Sequence, residues 1–504
     1  MLATSKLARN VLSSYGLRAL RAVSVLVLTP YLFRRLGADG FGTWSILFTI
    51  ATVFSLVELG ATLGVTKHVA ENTEPERERE LRDLVGVSAA MMVALGALAM
   101  AVSLPLGLLA DGLAPANLAG AFAGGMVMIG AAQLVRFPGQ AYGATLMGLQ
   151  RYDLFNAGET VTVLSFLAGA VAAVELGGGI AGLAAAYAGS LVLGAVVWVV
   201  LLRRCRPRAL AAPRLGHAAS RHAVVSFGWR SLLIDSMDFV AMRMDTLVVA
   251  ALRNARAAAP LAAATRLISG VQSLILPFVG VLVPMVAESG AAGRHEAVRR
   301  QLLVATRVAL QVTLLTAGGL ALFATDVVDV WLGSEAPPVT DDLVVILMIV
   351  QILILVPLPA GRVLLGLGRL RAVTVLAVLE GVGNLALSIV LVSEYGAIGA
   401  AIATLITSGL LVPIRLPLAC RATGCSAARL AREALMPGLA GCVPALAIMA
   451  AAWLALDPGA VRLVIGLGGG WVAGVVAAGV QLGPDRLRTL LRRPADPELV
   501  ELSA

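Results

Sequence analysis

Long apolar runs constrain this chain more than any other feature of its sequence. A membrane-spanning helix needs about 20 mostly apolar residues, and about fourteen runs reach that length. Hydrophobic residues make up 59% of the 504 residues and charged residues 14%, as in multi-pass membrane proteins. We therefore predict an all-α integral membrane protein with about 14 transmembrane helices. Predicted helices 1 to 14 cover residues 12–33, 42–66, 84–110, 116–140, 155–175, 179–202, 224–250, 261–287, 301–325, 341–366, 371–393, 397–420, 433–455 and 460–482.

Basic residues are distributed unevenly between the segments that connect these spans. If the N-terminus is cytoplasmic, most of the connecting lysines and arginines lie in cytoplasmic segments. The positive-inside rule therefore predicts that both termini are cytoplasmic. The same bias accounts for the net charge of +9, so no nucleic-acid partner is predicted. The predicted outer segments hold only Arg34, Arg35, Arg253, Arg256 and Arg462.

Short sequence matches recur along the chain at a nearly constant offset. Six predicted spans lie within one period, and an even number preserves orientation across the membrane. The pattern therefore predicts two parallel repeats related by an axis along the membrane normal. The matches pair Val69–Glu71 with Val286–Glu288, Gly148–Arg151 with Gly366–Arg369, and Gly178–Ala181 with Gly396–Gly399.

The repeat predicts two six-helix lobes followed by two extra helices. The N-lobe, helices 1 to 6, takes residues 1–202, and the C-lobe, helices 7 to 12, takes residues 223–421. A basic cytoplasmic linker joins them. The remaining predicted segments are the linker at 203–222, helices 13 and 14 within 422–482, and a cytoplasmic tail at 483–504.

Three segments resemble signatures of known families. The segment Arg34–Gly42, after Pro30, resembles the Pro…LGxxxxG motif of bacterial polysaccharide flippases. Glu394–Thr404, EYGAIGAAIAT, resembles their YGxxGAAxAT signature near helix 12. The segment Ala264–Leu267 resembles helix 8 of lipid II flippases, and that match carries Arg266. The resemblance covers essentially the whole chain and points to the multidrug/oligosaccharidyl-lipid/polysaccharide exporter superfamily.

The resemblance implies a flippase that makes and breaks no covalent bond. Its cargo would be an undecaprenyl-diphosphate-linked oligosaccharide, moved from the cytoplasmic to the outer leaflet by alternating access for cell-surface polysaccharide biosynthesis. It implies a location in the bacterial inner membrane, with membrane lipid as a further partner and a proton or sodium ion as a candidate coupling ion.

Predicted helix 1 carries two arginines inside its apolar run. At 3.6 residues per turn, Ser14, Arg18, Arg21 and Thr29 share one face. A charge near the bilayer centre costs at least ~2.5–3.5 kcal/mol, so this face should meet protein or water rather than lipid. For Arg18, snorkelling to the cytoplasmic surface is an alternative.

Predicted helix 8 carries a third arginine, and Arg266, Ser269 and Ser273 share one face. Paired guanidinium groups bind phosphate oxygens in bidentate fashion and stay charged at any physiological pH. We therefore predict Arg18, Arg21, Arg266, Ser269 and Ser273 as substrate-binding residues. The open alternative is that these arginines pair with acidic residues between the lobes. Four further arginines are interpreted as snorkelling anchors: Arg136, Arg307, Arg362 and Arg415.

Predicted helix 7 carries an acidic stripe that includes Asp235, Asp238 and Asp245. Neighbouring carboxylates repel and suit a proton or sodium site, so Asp235, Asp238 and Glu58 are candidate ion-coupling residues. The alternative for the stripe is salt bridging, and the single acids Glu58 and Glu159 could equally be paired structural residues. The Cys and His spacings fit no metal site, so no metal or other cofactor is predicted.

Two other functions compete with the flippase. A cation-coupled multidrug exporter of the same superfamily would tend to have an acid on helix 1, where this chain has arginines. A membrane glycosyltransferase would usually carry a large outer loop, and no predicted outer segment is long enough. The sequence therefore favours a transporter and not an enzyme.

The predicted orientation is tested by labelling single cysteines with an impermeant maleimide after replacing the four native cysteines. Cysteines placed at 326–342 should react in intact cells, whereas cysteines at 203–222 and 288–300 should react only after permeabilisation. Labelling of 326–342 only after permeabilisation would reverse the orientation.

Overall fold

The computed structural model describes residues 2–72, 77–214, 244–333, 336–337 and 339–482, and within these ranges every extended regular element is a helix. Eleven of the described helices are long and apolar enough to cross a membrane, which confirms the all-α membrane fold. Two described helices, Leu2–Glu71 and Leu370–Thr423, each contain two predicted spans. Predicted helix 7, at 224–250, lies mostly outside the described residues, so the count of fourteen stays a prediction.

Six helices and a short 3-10 turn form the first part of the chain. They are α1 (Leu2–Glu71), α2 (Glu78–Leu108), α3 (Ala110–Leu113), α4 (Ala116–Gly148), α5 (Tyr152–Glu175), α6 (Gly179–Cys205) and the turn Pro207–Ala209. Residues 244–252 are also helical.

The second part of the chain contains twelve further helices, and three stretches of π-helix interrupt them. The helices are α7 (Ala255–Gly280), α8 (Leu282–Ala291), α9 (His295–Thr313), α10 (Gly319–Leu322), α11 (Ala324–Trp331), α12 (Val339–Leu355), α13 (Leu358–Gly366), α14 (Leu370–Thr423), α15 (Ala427–Leu430), α16 (Met436–Ala455), α17 (Ala460–Leu463) and α18 (Gly469–Leu482). The π-helical stretches are Leu314–Gly318, Ala431–Leu435 and Val464–Gly468.

Single glycines with positive φ divide the two longest helices. Gly37 has φ 67° within α1, and Gly396 has φ 59° within α14. Residues with a Cβ rarely adopt this conformation. Helices 1 and 2 were predicted as separate spans, as were helices 11 and 12, and in both cases one glycine replaces the expected loop. Both glycines lie in the motifs that resemble the flippase family.

The internal repeat is visible in the helix packing. A Cβ atom at Gly148 would lie 2.6 Å from the Val69 Cβ, and a Cβ atom at Gly366 would lie 2.8 Å from the Val286 Cβ. Both glycines therefore allow the same close approach between helices. The two contacts are related by the sequence offset found in the repeat.

The turns that follow these glycines also match. Gln150 and Gly368 both have positive φ, 58° and 73°, and they are equivalent positions, each two residues beyond its packing glycine. In each turn the next amide, of Arg151 or Arg369, donates to a carbonyl five residues earlier at 2.9 Å. The repeat predicted from short sequence matches thus corresponds to recurring local structure.

The chain divides by its contacts into two compact units. The first contains Met1–Ser273, Leu332–Leu343 and Thr374–Thr407, and within it α4 packs along α2 and α6 while α5 packs along α1 and α6. The second contains Leu274–Trp331, Val344–Val373 and Ser408–Ala504. The division into lobes at 1–202 and 223–421 stays a prediction. One cluster of the second unit contains Val286, Val298, Leu302, Ala360, Val363, Leu364 and Ala419.

Candidate functional site

A polar seam runs between α1 and α5 in the first unit. The Asn10 amide donates to the Gln150 carbonyl at 3.0 Å, and the Asn156 amide donates to the hydroxyls of Ser13 and Ser14 at 3.0 and 2.9 Å. The positions on α1 are three or four residues apart and so share a face. The same face of α1 continues to Arg21.

Glu159 of α5 lies between two arginines from different helices. Its Oε1 accepts a hydrogen bond from Arg136 of α4 at 2.7 Å, and its Oε2 accepts one from Arg21 of α1. The Glu159 and Arg136 side chains are 8% and 10% exposed, whereas the Arg21 side chain is 51% exposed. A buried carboxylate is therefore shared between one buried and one accessible guanidinium group.

The indole of Trp198 on α6 supports the buried arginine. The Arg136 Cζ lies 4.3 Å from the centroid of the Trp198 ring, within range of a cation–π interaction. The fully buried indole stacks on Phe155 at 5.2 Å and donates to the Phe155 carbonyl at 3.0 Å. A Cβ atom at Gly158 would collide with the indole nitrogen. Small residues around Trp198 thus allow α4, α5 and α6 to hold Arg136 in place.

The structure corrects the interpretation of Arg136 as a snorkelling anchor. Arg136 is buried and forms an ion pair with Glu159, so its charge is compensated inside the protein. For Glu159, the paired state is the one observed.

The other two predicted cargo-binding arginines contact aromatic rings. Arg18 is exposed and lies 5.8 Å from the centroid of Tyr15, one turn earlier on α1. Arg266 of α7 is partly buried and lies 4.5 Å from the centroid of Phe48, in the second half of α1. Phe48 belongs to an aromatic cluster with Trp44, Phe166 and Tyr187.

The predicted serines of helix 8 are partly buried. Ser269 and Ser273 lie on α7, and the Ser273 hydroxyl donates to the Gly270 carbonyl at 2.6 Å. Arg18 and Arg21 share α1, as predicted, while Arg266 contacts the part of α1 beyond Gly37. The joint binding of one diphosphate by the three arginines stays a prediction.

A second buried polar group surrounds Asp245. Its carboxylate accepts hydrogen bonds from the hydroxyls of Ser388 and Thr404 at 3.0 and 2.8 Å. The Asn384 amide donates to the Thr404 hydroxyl at 2.8 Å, and the Asn384 Oδ1 is a buried oxygen without a hydrogen-bond partner among the described residues. Among the described residues, no basic side chain lies within ion-pair distance of Asp245. The group offers several oxygens and one negative charge.

The predicted ion-coupling acids cannot be placed. Asp235 and Asp238 lie outside the described residues, and so does the side chain of Glu58, although its backbone belongs to α1. In the part of the chain that the structure describes, no three His, Cys, Asp or Glu side chains are grouped to hold a metal ion.

Asp245 lies on the predicted acidic stripe but is not among the predicted ion-coupling residues. A signal was present, since Thr404 ends the YGxxGAAxAT-like motif and Asn384 and Ser388 are four residues apart on one helix face. For Arg136 no comparable signal exists, because a helical wheel gives the face of a residue and not its neighbours.

A multi-pass helical membrane protein with charged groups held inside its helices has the features of a transporter, because such groups often mark substrate or ion pathways. The chain belongs to the family described as polysaccharide biosynthesis protein, whose model matches residues 7–289, more than half of the chain. No curated protein matches the sequence significantly.

Solved structures show the same fold at low sequence identity. The lipid II flippase MurJ, in an inward closed conformation, has a TM-score of 0.70 and 13% identity, with 96% of this chain and 99% of MurJ covered. An inward-facing MATE multidrug resistance transporter of the MOP superfamily has a TM-score of 0.67 and 16% identity, with coverages of 80% and 98%. A MOP superfamily transporter from Pyrococcus furiosus has a TM-score of 0.60 and 14% identity, with coverages of 83% and 95%. The chain therefore shares the fold of these transporters.

Proposed function

We propose that the protein flips an undecaprenyl-diphosphate-linked oligosaccharide from the cytoplasmic to the outer leaflet of the bacterial inner membrane. Both termini are cytoplasmic in this proposal, and no covalent bond changes. Membership of the polysaccharide biosynthesis family and the MOP fold support a transporter in this pathway. The nature of the cargo rests on the charges of α1 and α7.

The observation that carries the proposal is the accessibility of Arg21. Its side chain is 51% exposed although it lies near the middle of predicted span 12–33. Among the described residues, Glu159 is the only acidic side chain that Arg21 contacts, and Glu159 is shared with Arg136. An exposed guanidinium at this depth is costly unless an anion or water meets it. The diphosphate of a carrier lipid supplies that anion.

The same charges argue against export of cationic drugs. A cationic drug would be repelled by arginines on α1 and α7, whereas a diphosphate accepts their hydrogen bonds in pairs. The likeness to MATE transporters concerns the fold and leaves this difference in charge intact.

Replacing Arg18, Arg21 or Arg266 by alanine should each reduce flipping strongly. Lysine should restore part of the activity because it keeps the charge but not the bidentate fork. Glutamate should be worse than alanine because it repels phosphate. The measurement is transfer of the lipid-linked glycan in proteoliposomes, or complementation of a deletion strain, at equal membrane abundance. Normal transport by all three alanine variants would mean that the diphosphate binds elsewhere.

Coupling to a cation gradient is the second part of the proposal. The Asp245 group presents a buried carboxylate, two hydroxyls and the Asn384 oxygen, which has no partner among the described residues. Hard cations prefer oxygen ligands, and a carboxylate can bind a proton instead. We therefore add Asp245 to Asp235, Asp238 and Glu58 as a candidate coupling residue.

Asp245→Asn should abolish the dependence of flipping on the sodium or proton gradient, since it removes the charge that attracts the cation. Replacing sodium by choline at constant pH separates the two ions. Asp111→Asn, which changes an exposed acid, is the control and should keep the dependence. If Asp245→Asn keeps it while Asp235→Asn or Asp238→Asn loses it, coupling belongs to Asp235 or Asp238 instead.

Alternating access is supported by a close contact within the first unit. Gly42 of α1 packs against the start of α7, where a Cβ atom would collide with the Ala255 carbonyl and lie 3.4 Å from the Ala259 Cβ. Nearby, Asp39 and Arg256 approach to 3.8 Å. Gly42 and Ala259 are equivalent positions of the repeat, and so are Asp39 and Arg256, so each residue meets its own counterpart. Only positions beside a two-fold axis do this.

This contact joins the middle of α1, just beyond Gly37, to the start of α7, on the side predicted to face outward. Transport requires it to open and close. Gly42→Leu should prevent closing and reduce flipping by at least about tenfold, because the overpacked contact cannot form. An Ala259→Cys label should then become reactive from outside. Gly16→Leu on the same helix is the control, because a Cβ atom there has no described atom within 4 Å. If Gly42→Leu changes neither the flipping rate nor the labelling of Ala259→Cys, this contact does not open and close during transport.

A further inference from the structure

We infer that Glu159 is an internal counter-ion that competes with the cargo diphosphate for Arg21, and that Arg136 sets the strength of this competition. The inference deepens the proposed function and rests on it, since it assumes that Arg21 meets the cargo. It assigns to Glu159 and Arg136 the role of positioning residues, because neither needs to touch the cargo.

The two arginines that contact Glu159 differ in burial and in how firmly packing holds them. Arg136 is buried with Glu159 and lies over Trp198, so its contact with the carboxylate is fixed by packing on α4, α5 and α6. Arg21 is half exposed and bonds to the other carboxylate oxygen. Arg21 is therefore the partner that can exchange Glu159 for another anion.

The charges of the three groups favour such an exchange. Glu159 shares its single negative charge between two guanidinium groups, so Arg21 keeps positive charge that it can present to a phosphate oxygen. When Arg21 leaves Glu159, the carboxylate keeps Arg136 as its partner, so no buried negative charge is left uncompensated. The exchange replaces one charge-assisted hydrogen bond by another and keeps the cost of both binding and release low.

A competing counter-ion suits a carrier that has to release its cargo. Paired guanidinium groups without a competitor would hold a diphosphate tightly, and tight binding of the ground state slows turnover. Glu159 offers Arg21 a partner in the empty protein, so release of the lipid does not leave the guanidinium without a counter-ion at membrane depth.

The test measures binding of undecaprenyl diphosphate to the purified full-length protein in nanodiscs, together with flipping in proteoliposomes. The double variant Arg136→Gln with Glu159→Gln removes both buried charges together, so neither is left unpaired. Its Kd should fall about tenfold, because Arg21 no longer has to leave a carboxylate, and its flipping rate should fall as release slows.

The single variant Arg136→Gln should shift the Kd in the opposite direction. Among the described residues, Arg21 is then the one arginine left beside Glu159, which holds it more strongly, so the Kd should rise several-fold. Loss of packing alone would weaken binding in both variants. The matched control is Glu175→Gln, which removes the carboxylate that Arg35 contacts at 2.7 Å between the same two helices, and it should leave the Kd unchanged. Melting temperatures confirm that each variant is folded.

The outcomes separate this inference from the proposed function. Opposite shifts in the two variants, with the gain cancelled when Arg21→Ala is added to the double variant, support the counter-ion. A double variant with the Kd of the wild type, or shifts in the same direction, overturn it even if Arg21→Ala abolishes binding. If Arg21→Ala alone leaves the Kd unchanged, both the inference and the proposed cargo site are wrong.

Discussion

The carboxylate of Glu159 connects four helices of the first unit, since its arginine partners come from α1 and α4 and Trp198 of α6 covers one of them. Lipid is as apolar as leucine, so membrane helices associate through close packing and polar contacts. Here the two act together. Glycines at the helix crossings bring the backbones close enough for Arg136 to reach Glu159 beneath the indole of Trp198. These glycines are Gly139, Gly143, Gly158 and Gly194.

Much of the fold could be predicted because its determinants are periodic. Apolar runs give the spans, and the constant offset gives a repeat that reappears in the matching turns at Gln150 and Gly368. The partners inside the first unit could not be predicted. Arg136 and Glu159 lie on different helices, and their pairing depends on how α4 crosses α5 and α6. For the same reason Arg136 looked like an anchor, whereas Arg21 was recognised from its own helix alone.

The two repeats keep the same turns but differ in chemistry. At the offset that relates Gly148 to Gly366, the equivalents of Arg136 and Glu159 are apolar, and so is the equivalent of Asp245. These apolar counterparts are Ile354 and Ala377 for the first two and, at the offset that relates Gly42 to Ala259, Leu28 for Asp245. Both repeats therefore keep the glycine that the helix crossing needs, Gly148 in one and Gly366 in the other. Each of these buried charges, by contrast, occurs in only one of the two repeats. A duplicated scaffold of this kind can place the groups that bind the cargo in one repeat and the groups that bind a cation in the other.

The single residue Gly37 has a mechanical consequence. Because no loop joins the two halves of α1, one pair of backbone dihedral angles carries the whole change of direction. A loop of several residues would absorb rotation of one half in many soft torsions, whereas this junction has two. A rotation of the half that carries Arg21 is thus transmitted to the half that carries Phe48, because the junction between them is stiffer than a flexible loop.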